Sequence, residues 1–160
     1  MIFEDIVEFS QGVKIGSLIG LDLGTKTIGV SVSDALWSTA TPLHTIKRKK
    51  FGLDAQALKQ ILAEREIAGI VFGMPFNMDG SEGPRCQSTR AFARNLAGLI
   101  ETPITYWDER LSTVAAERAL LEADTSRKRR AEVIDHVAAG FILQGALDRL
   151  NYIRTQNDKF

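Results

Sequence analysis

Three carboxylates sit at positions where an acid needs a reason. Asp22 ends Leu18-Ile19-Gly20-Leu21, a nearly unbroken apolar run of the kind found in a strand covered on both faces, and the turn Gly24-Thr25-Lys26-Thr27 follows. An ionised carboxylate there is costly unless it is hydrogen-bonded, paired or bound to a metal. Two readings fit: an aspartate bonding the amides of its own turn, and a ligand at the carboxyl end of a strand, where open α/β sheets build their sites. Asp108-Glu109-Arg110 repeats this placement after the apolar Ile104-Thr105-Tyr106-Trp107. Asp135 lies on the flank of a helical stripe formed by Ile134, Val137, Ala138, Phe141, Ile142 and Gly145. It either favours the helix dipole or looks over a sheet edge toward the other two acids.

Acids of this kind suit Mg²⁺ or Mn²⁺, because hard divalent ions prefer oxygen ligands. Two such ions about 4 Å apart clamp the attacking and leaving oxygens of a phosphodiester displacement. Metal-bound water is then the nucleophile, and no serine, cysteine or histidine triad is required.

The whole-chain charge gives no help in binding a polyanion. Lysine plus arginine and aspartate plus glutamate number 20 each, so a nucleic acid must be met by local patches. Two basic runs exist, Lys47-Arg48-Lys49-Lys50 and Arg127-Lys128-Arg129-Arg130; by composition alone each reads as a solvated face. The single cysteine, Cys86, excludes an intrachain disulfide and a cysteine-based zinc site. No apolar stretch approaches the roughly 20 residues of a membrane span, and the acidic N-terminal segment lacks the pattern of a secretion signal. The expectation is a cytoplasmic protein without membrane contact.

The elements that position the acids follow from periodicity. Ser17–Leu23 and Ile28–Ser33 read as a hairpin, and Thr41–Thr45 as a third strand. Leu53, Ala57, Leu58, Ile61 and Leu62 recur at helical spacing, with Asp54 as a candidate cap. Ala68–Phe72 is a short apolar strand, and Gly73–Gly83 a loop. Pro84 suits the first turn of a helix carrying Phe92, Leu96 and Ile100, and Pro103–Trp107 is the fifth strand. A helix capped by Ser112 or Thr113 reaches about residue 122, residues 124–130 form a polar, basic connection, and a last helix spans about Ala131–Leu150. The predicted fold class is α/β, a mixed five-stranded sheet with helices on both faces. One domain over residues 17–151 is expected, with an N-terminal extension (1–16) and a C-terminal tail (152–160).

Four ordered blocks carry a resemblance to a known family. They are Gly20-Leu21-Asp22-Leu23-Gly24-Thr25-Lys26-Thr27-Ile28-Gly29-Val30, Gly73-Met74-Pro75-Phe76-Asn77-Met78-Asp79-Gly80-Ser81, Asp108-Glu109-Arg110-Leu111-Ser112-Thr113 and Asp135-His136-Val137-Ala138-Ala139. Together they resemble the YqgF/RuvX family over about residues 17–150. The resemblance implies a ribonuclease H-like fold related to Holliday junction resolvases, and a nuclease that helps mature the 5′ end of precursor 16S ribosomal RNA. It implies Asp22, Glu109 and Asp135 as the catalytic, metal-binding acids, with Asp108 in reserve. Lys26, Asn77, Arg110 and the run Arg127, Lys128, Arg129 and Arg130 become expected nucleic-acid contacts. The wider superfamily carries its second acid at the end of the fourth strand, where this chain has Phe72-Gly73-Met74-Pro75, so the site would be built with a displaced acid. Related resolvases also carry a further acid at the position of Ala138, one turn after Asp135; Glu132 lies one turn before it.

Other readings stay open at this stage. Branched DNA is an alternative substrate, for which two-fold-symmetric cleavage favours a dimer; monomer and weak homodimer are both compatible. A non-catalytic RNA-binding factor of the assembling small ribosomal subunit would share the scaffold. Asp22-Leu23-Gly24-Thr25 also resembles the first phosphate loop of actin-like ATPases, which need a second such domain. Tyr106 and Trp107 either stack on bases or are buried in their strand, and His136 is either an exposed histidine or a proton shuttle.

Overall fold

The structure, a computed structural model, describes residues 1–111 and 127–157, with side chains described over 1–111 and 136–156. The predicted helix over residues 112–122 lies outside the described residues.

The hairpin forms as its alternation predicts. Strand β2 (Leu18–Leu23) pairs antiparallel with β3 (Thr27–Ser33), which pairs antiparallel with β4 (Ala40–Lys47). The all-apolar stretches become parallel strands, β5 (Gly69–Met74) beside β2 and β6 (Ile104–Asp108) beside β5.

Among the described residues the sheet has six strands where five were expected. Ile2–Phe3 form a two-residue strand, β1, parallel to β6, and the sheet order is β1-β6-β5-β2-β3-β4. The N-terminal segment, read from sequence as a polar extension, thus joins the sheet. Its charges conceal one apolar side: the short helix α1 (Ile6–Gly12), capped by Asp5, turns Phe9 wholly into the interior.

Helices cover both faces. One core joins Ile19, Leu21, Ile70 and Phe72 to helices α2 (Phe51–Glu64) and α3 (Pro84–Ala97). The opposite core joins Leu18, Val71 and Trp107 to α1 and the long helix α4 (Arg127–Asn157). Two boundaries differ from the sequence reading. Lys50, not Asp54, holds the cap position of α2; Asp54 is buried in the first turn and accepts a hydrogen bond from the Lys49 amide at 2.9 Å. Arg127–Arg130 belong to the first turn of α4 rather than to a connection. Such residues look loop-like in a sequence because they lie outside the apolar stripe, yet their helix propensity is high.

The α4 face of the sheet is paved with small residues. A Cβ on Gly20 would stand 2.7 Å from Leu143 Cβ and 3.0 Å from the Ala139 carbonyl. The Ser31 hydroxyl donates to that carbonyl at 2.7 Å. This close approach sets the helix over the strand that carries Asp22.

Candidate active site

Asp22 and Glu109 meet at the carboxyl edge of the parallel strands. Asp22 is only 4% exposed. It lies two residues beyond Gly20 and therefore on the same face, toward α4. The β2–β5 register ends at Leu21–Phe72, so the next residues, Asp22 and Gly73, are neighbours about 4.8 Å apart. Gly73 has no side chain. The place its Cβ would take is 2.7 Å from Glu109 Oε1 and 2.5 Å from Ile142 Cδ1. Glu109 opens a single turn, Glu109–Leu111, directly after β6, and sends its carboxylate back over Gly73. A carboxylate thus lies over the end of β5, sent back from the turn that follows the neighbouring strand.

Helix α4 brings Asp135 to the same end of the sheet. Along β4, the Ala40 amide meets Gln144 Oε1 at 2.9 Å, Pro42 meets Gly140, and Thr45 Oγ1 lies 3.1 Å from His136 Nδ1. The helix therefore runs backward over the sheet, its N-terminal part above the row formed by Asp22, Gly29 and Thr45. Residue 135 immediately precedes His136 in that part; its side chain lies outside those described. Among the described residues, no group of three or more histidine, cysteine, aspartate or glutamate side chains gathers as a metal cluster. The two acids in place offer only carboxylate oxygens, the donor type hard divalent ions take. The side-chain-free position at Gly73 leaves room for both.

Asp108 and Arg110 engage each other. Arg110 Nη2 and Nε donate to the Asp108 oxygens at 2.7 and 3.0 Å. Arg110 also reaches the carbonyls of Asn77 and Met78 at 3.4 and 3.3 Å and covers the Phe76 ring. These bonds hold the Asp108 carboxyl below its ordinary range. Arg110, expected at a phosphate, also clamps β6 to the loop after β5. Asn77 is likewise used within that loop, its side-chain amide donating to Ser81 Oγ at 2.9 Å. Gly80 adopts φ +88° beside the Arg110 guanidinium, a conformation glycine takes without strain.

Lys26 is exposed on the β2–β3 turn, close behind Asp22. The side chains of Arg127, Lys128, Arg129 and Arg130 lie outside those described; their backbone forms the start of α4. Trp107 and Tyr106 are buried, so their strand uses them as core.

Sequence reasoning named the other basic run, Lys47–Lys50, as a candidate patch but favoured a solvated face for it. Because β3 runs antiparallel to both neighbours, the end of β4 returns to the edge where β2 ends, and Lys47 pairs with Thr27. Arg48 Nη1 donates to the Gly24 carbonyl at 2.6 Å, and Arg85 Nη2 to the Leu23 carbonyl at 3.4 Å. Two guanidinium groups thus cap the strand end that bears Asp22. The run's place directly after a strand of the hairpin sheet was the available signal.

Comparisons with known proteins place the chain in a family. A family model described as RuvX, Holliday junction resolvase, matches residues 16–149. A relative from Roseobacter denitrificans named "Putative pre-16S rRNA nuclease" is 67% identical, over 99% of each chain. One of the same name from Ruegeria pomeroyi is 72% identical over 94% of this chain and 98% of its own. Among solved structures, Thermus thermophilus RuvC in complex with a Holliday junction substrate superposes with a TM-score of 0.53 at 14% identity, covering 88% of this chain and 96% of that one. That likeness shows the ribonuclease H-like fold. Matched by the family model across most of its length, this chain belongs to the RuvX family.

Proposed function

We propose that the chain is a metal-dependent nuclease that hydrolyses phosphodiester bonds and matures the 5′ end of precursor 16S ribosomal RNA. The observation that carries this reading is the Glu109 carboxylate lying over Gly73, beside the buried Asp22. Asp22, Glu109 and Asp135 would hold two Mg²⁺ or Mn²⁺ ions, with Asp108 kept in reserve by Arg110. When bound, such ions polarise the phosphate and make water a nucleophile at neutral pH. Asp22 stands in a strand paired on both sides, which fixes its backbone position before substrate arrives. Lys26 and the run 47–50 lie at the edge where β2 ends, and together with 127–130 they would orient neighbouring phosphates. Among the described residues, no helix is long and apolar enough to cross a membrane, and the ribosomal substrate implies the cytoplasm. Monomer and weak homodimer both fit this chemistry, and the assembling small subunit is the expected partner.

The family description favours one second reading, cleavage of branched DNA. Both are tested by incubating a precursor 16S RNA fragment, beside a four-way DNA junction, with Mg²⁺, Mn²⁺ or chelator. The expected result is metal-dependent cleavage of the RNA, reduced about 10³-fold in a folded Asp22→Asn variant. Cleavage of the junction alone would transfer the assignment to branched DNA. Intact RNA and DNA under every condition would overturn the nuclease reading and favour a binding factor.

A further inference from the structure

We propose that Asp54 is a positioning residue for the reaction: acting through Arg48, it fixes the turn between β2 and β3, which follows Asp22 and carries Lys26. The role rests on the nuclease reading above, in which that turn borders the acids and Lys26 meets a phosphate.

Asp54 is a buried acid that the proposed metal site does not use. It is 2% exposed, in the first turn of α2, and a carboxylate taken out of water is costly unless it is paired and hydrogen-bonded. One oxygen accepts from the Lys49 amide at 2.9 Å. That bond would suffice for an acid that only starts a helix, and such an acid can stay at the surface, as Asp5 does where it caps α1. The second oxygen of Asp54 faces Arg48 Nε, 4.0 Å away.

Arg48 turns that charge into geometry. Directly after β4, its Nη1 donates to the Gly24 carbonyl at 2.6 Å, and its own amide donates to the Lys26 carbonyl at 2.9 Å. The Gly24 amide closes the turn on the Thr27 carbonyl at 2.8 Å. Both ends of the Gly24–Lys26 turn are thus held, and Gly24 stands two residues from Asp22. Phe92 of α3 braces the guanidinium from a further side, its ring centroid 5.7 Å from Arg48 Cζ. A guanidinium is a rigid fork, so Nε can face Asp54 while Nη1 bonds Gly24. A lysine ammonium keeps the charge but has one nitrogen, and cannot serve both places.

Two variants test this. In Asp54→Asn the side-chain oxygen can still accept from Lys49, while the charge facing Arg48 is gone. Arg48→Lys keeps the charge that a phosphate would feel and loses the fork. In both, the NMR order parameters of the Thr25 and Lys26 amides are expected to fall from about 0.85 to below about 0.6. With precursor 16S RNA and Mg²⁺, kcat is expected to drop about tenfold with KM unchanged. The double variant should lose little more than either single one. Wild-type order of the turn in both variants would overturn the inference, as would losses that multiply in the double variant. A raised KM with kcat unchanged would also overturn it, and would make Arg48 a phosphate contact instead. A lower denaturant midpoint with kcat and turn order unchanged would do the same, leaving Asp54 a purely structural acid. Inactivity of the wild type would strike the nuclease reading, whereas the order parameters, which need no turnover, would still decide whether Asp54 holds the turn.

Discussion

Two glycines at the site do different jobs, and substitution separates them. At Gly20 an added Cβ would press on Leu143 Cβ and the Ala139 carbonyl, atoms tied to the backbone of α4. Gly20→Ala is expected to destabilise the protein by about 1–3 kcal/mol, seen as a lower denaturant midpoint. At Gly73 the nearest atoms are Ile142 Cδ1 and Glu109 Oε1, ends of side chains that can swing away. Gly73→Ala is expected to shift the midpoint little while reducing cleavage at least about tenfold, because the carboxylate it displaces belongs to the proposed metal site. Equal losses of stability and activity in both variants would contradict this division. The resemblance implied a displaced acid; its landing place over Gly73 required the β5–β6 register, which no local pattern encodes.

At the scale of elements, the connections rather than the strands decide where the groups lie. The β3–β4 connection is tied by Asp34, whose Oδ1 accepts from the Ser38 and Thr39 amides at 2.8 and 2.9 Å. These amide bonds, Thr39's foremost, hold the Asp34 carboxyl below its ordinary range. A lowered folded-state value means that its stabilisation is present above the unfolded value and is lost as pH falls through the folded one. The expected outcome is an Asp34 titration by NMR with its midpoint below the usual aspartate value of about 3.9, while the Ser38 and Thr39 amide shifts move with it. In Asp34→Ala those amide shifts should no longer follow pH in that range. The same connection places Trp37 at φ +60°, where its indole donates to the Gly16 carbonyl at 2.7 Å and Asn151 donates to its own carbonyl at 2.7 Å. One turn thus joins the start of β2 to α4, the two elements that carry Asp22 and Asp135.

For the whole molecule, the N-terminal segment closes the core on the face opposite α2 and α3. Phe9 is completely buried, and its ring fills the space left by Gly69. Phe3 packs edge-on against it at 6.3 Å between ring centroids. Arg90 joins the segment to α3, donating to Glu4 at 2.8 Å and to Glu82 at 2.6 Å. Phe9→Ala is therefore expected to cost about 3–5 kcal/mol, measured by denaturant unfolding. A loss below 1 kcal/mol would mean that the segment decorates the sheet rather than completing it.

The residues themselves determined the class of the protein and marked where a site could lie. Alternation in β3 and continuous apolarity in β2, β5 and β6 specify strand type, because side chains must match one buried face or two. Asp22 after a buried run marks a candidate site position because a buried carboxylate is expensive without a partner. Tertiary structure decided what depends on pairs distant in sequence. A two-residue strand such as Ile2–Phe3 is too short for any period and exists only because β6 offers an edge. The return of Lys47 to the Asp22 edge, the laying of Glu109 over Gly73 and the meeting of Thr45 with His136 all follow from strand register and helix packing. Those arrangements come from long-range burial, and a single chain segment holds no record of the partner it will meet.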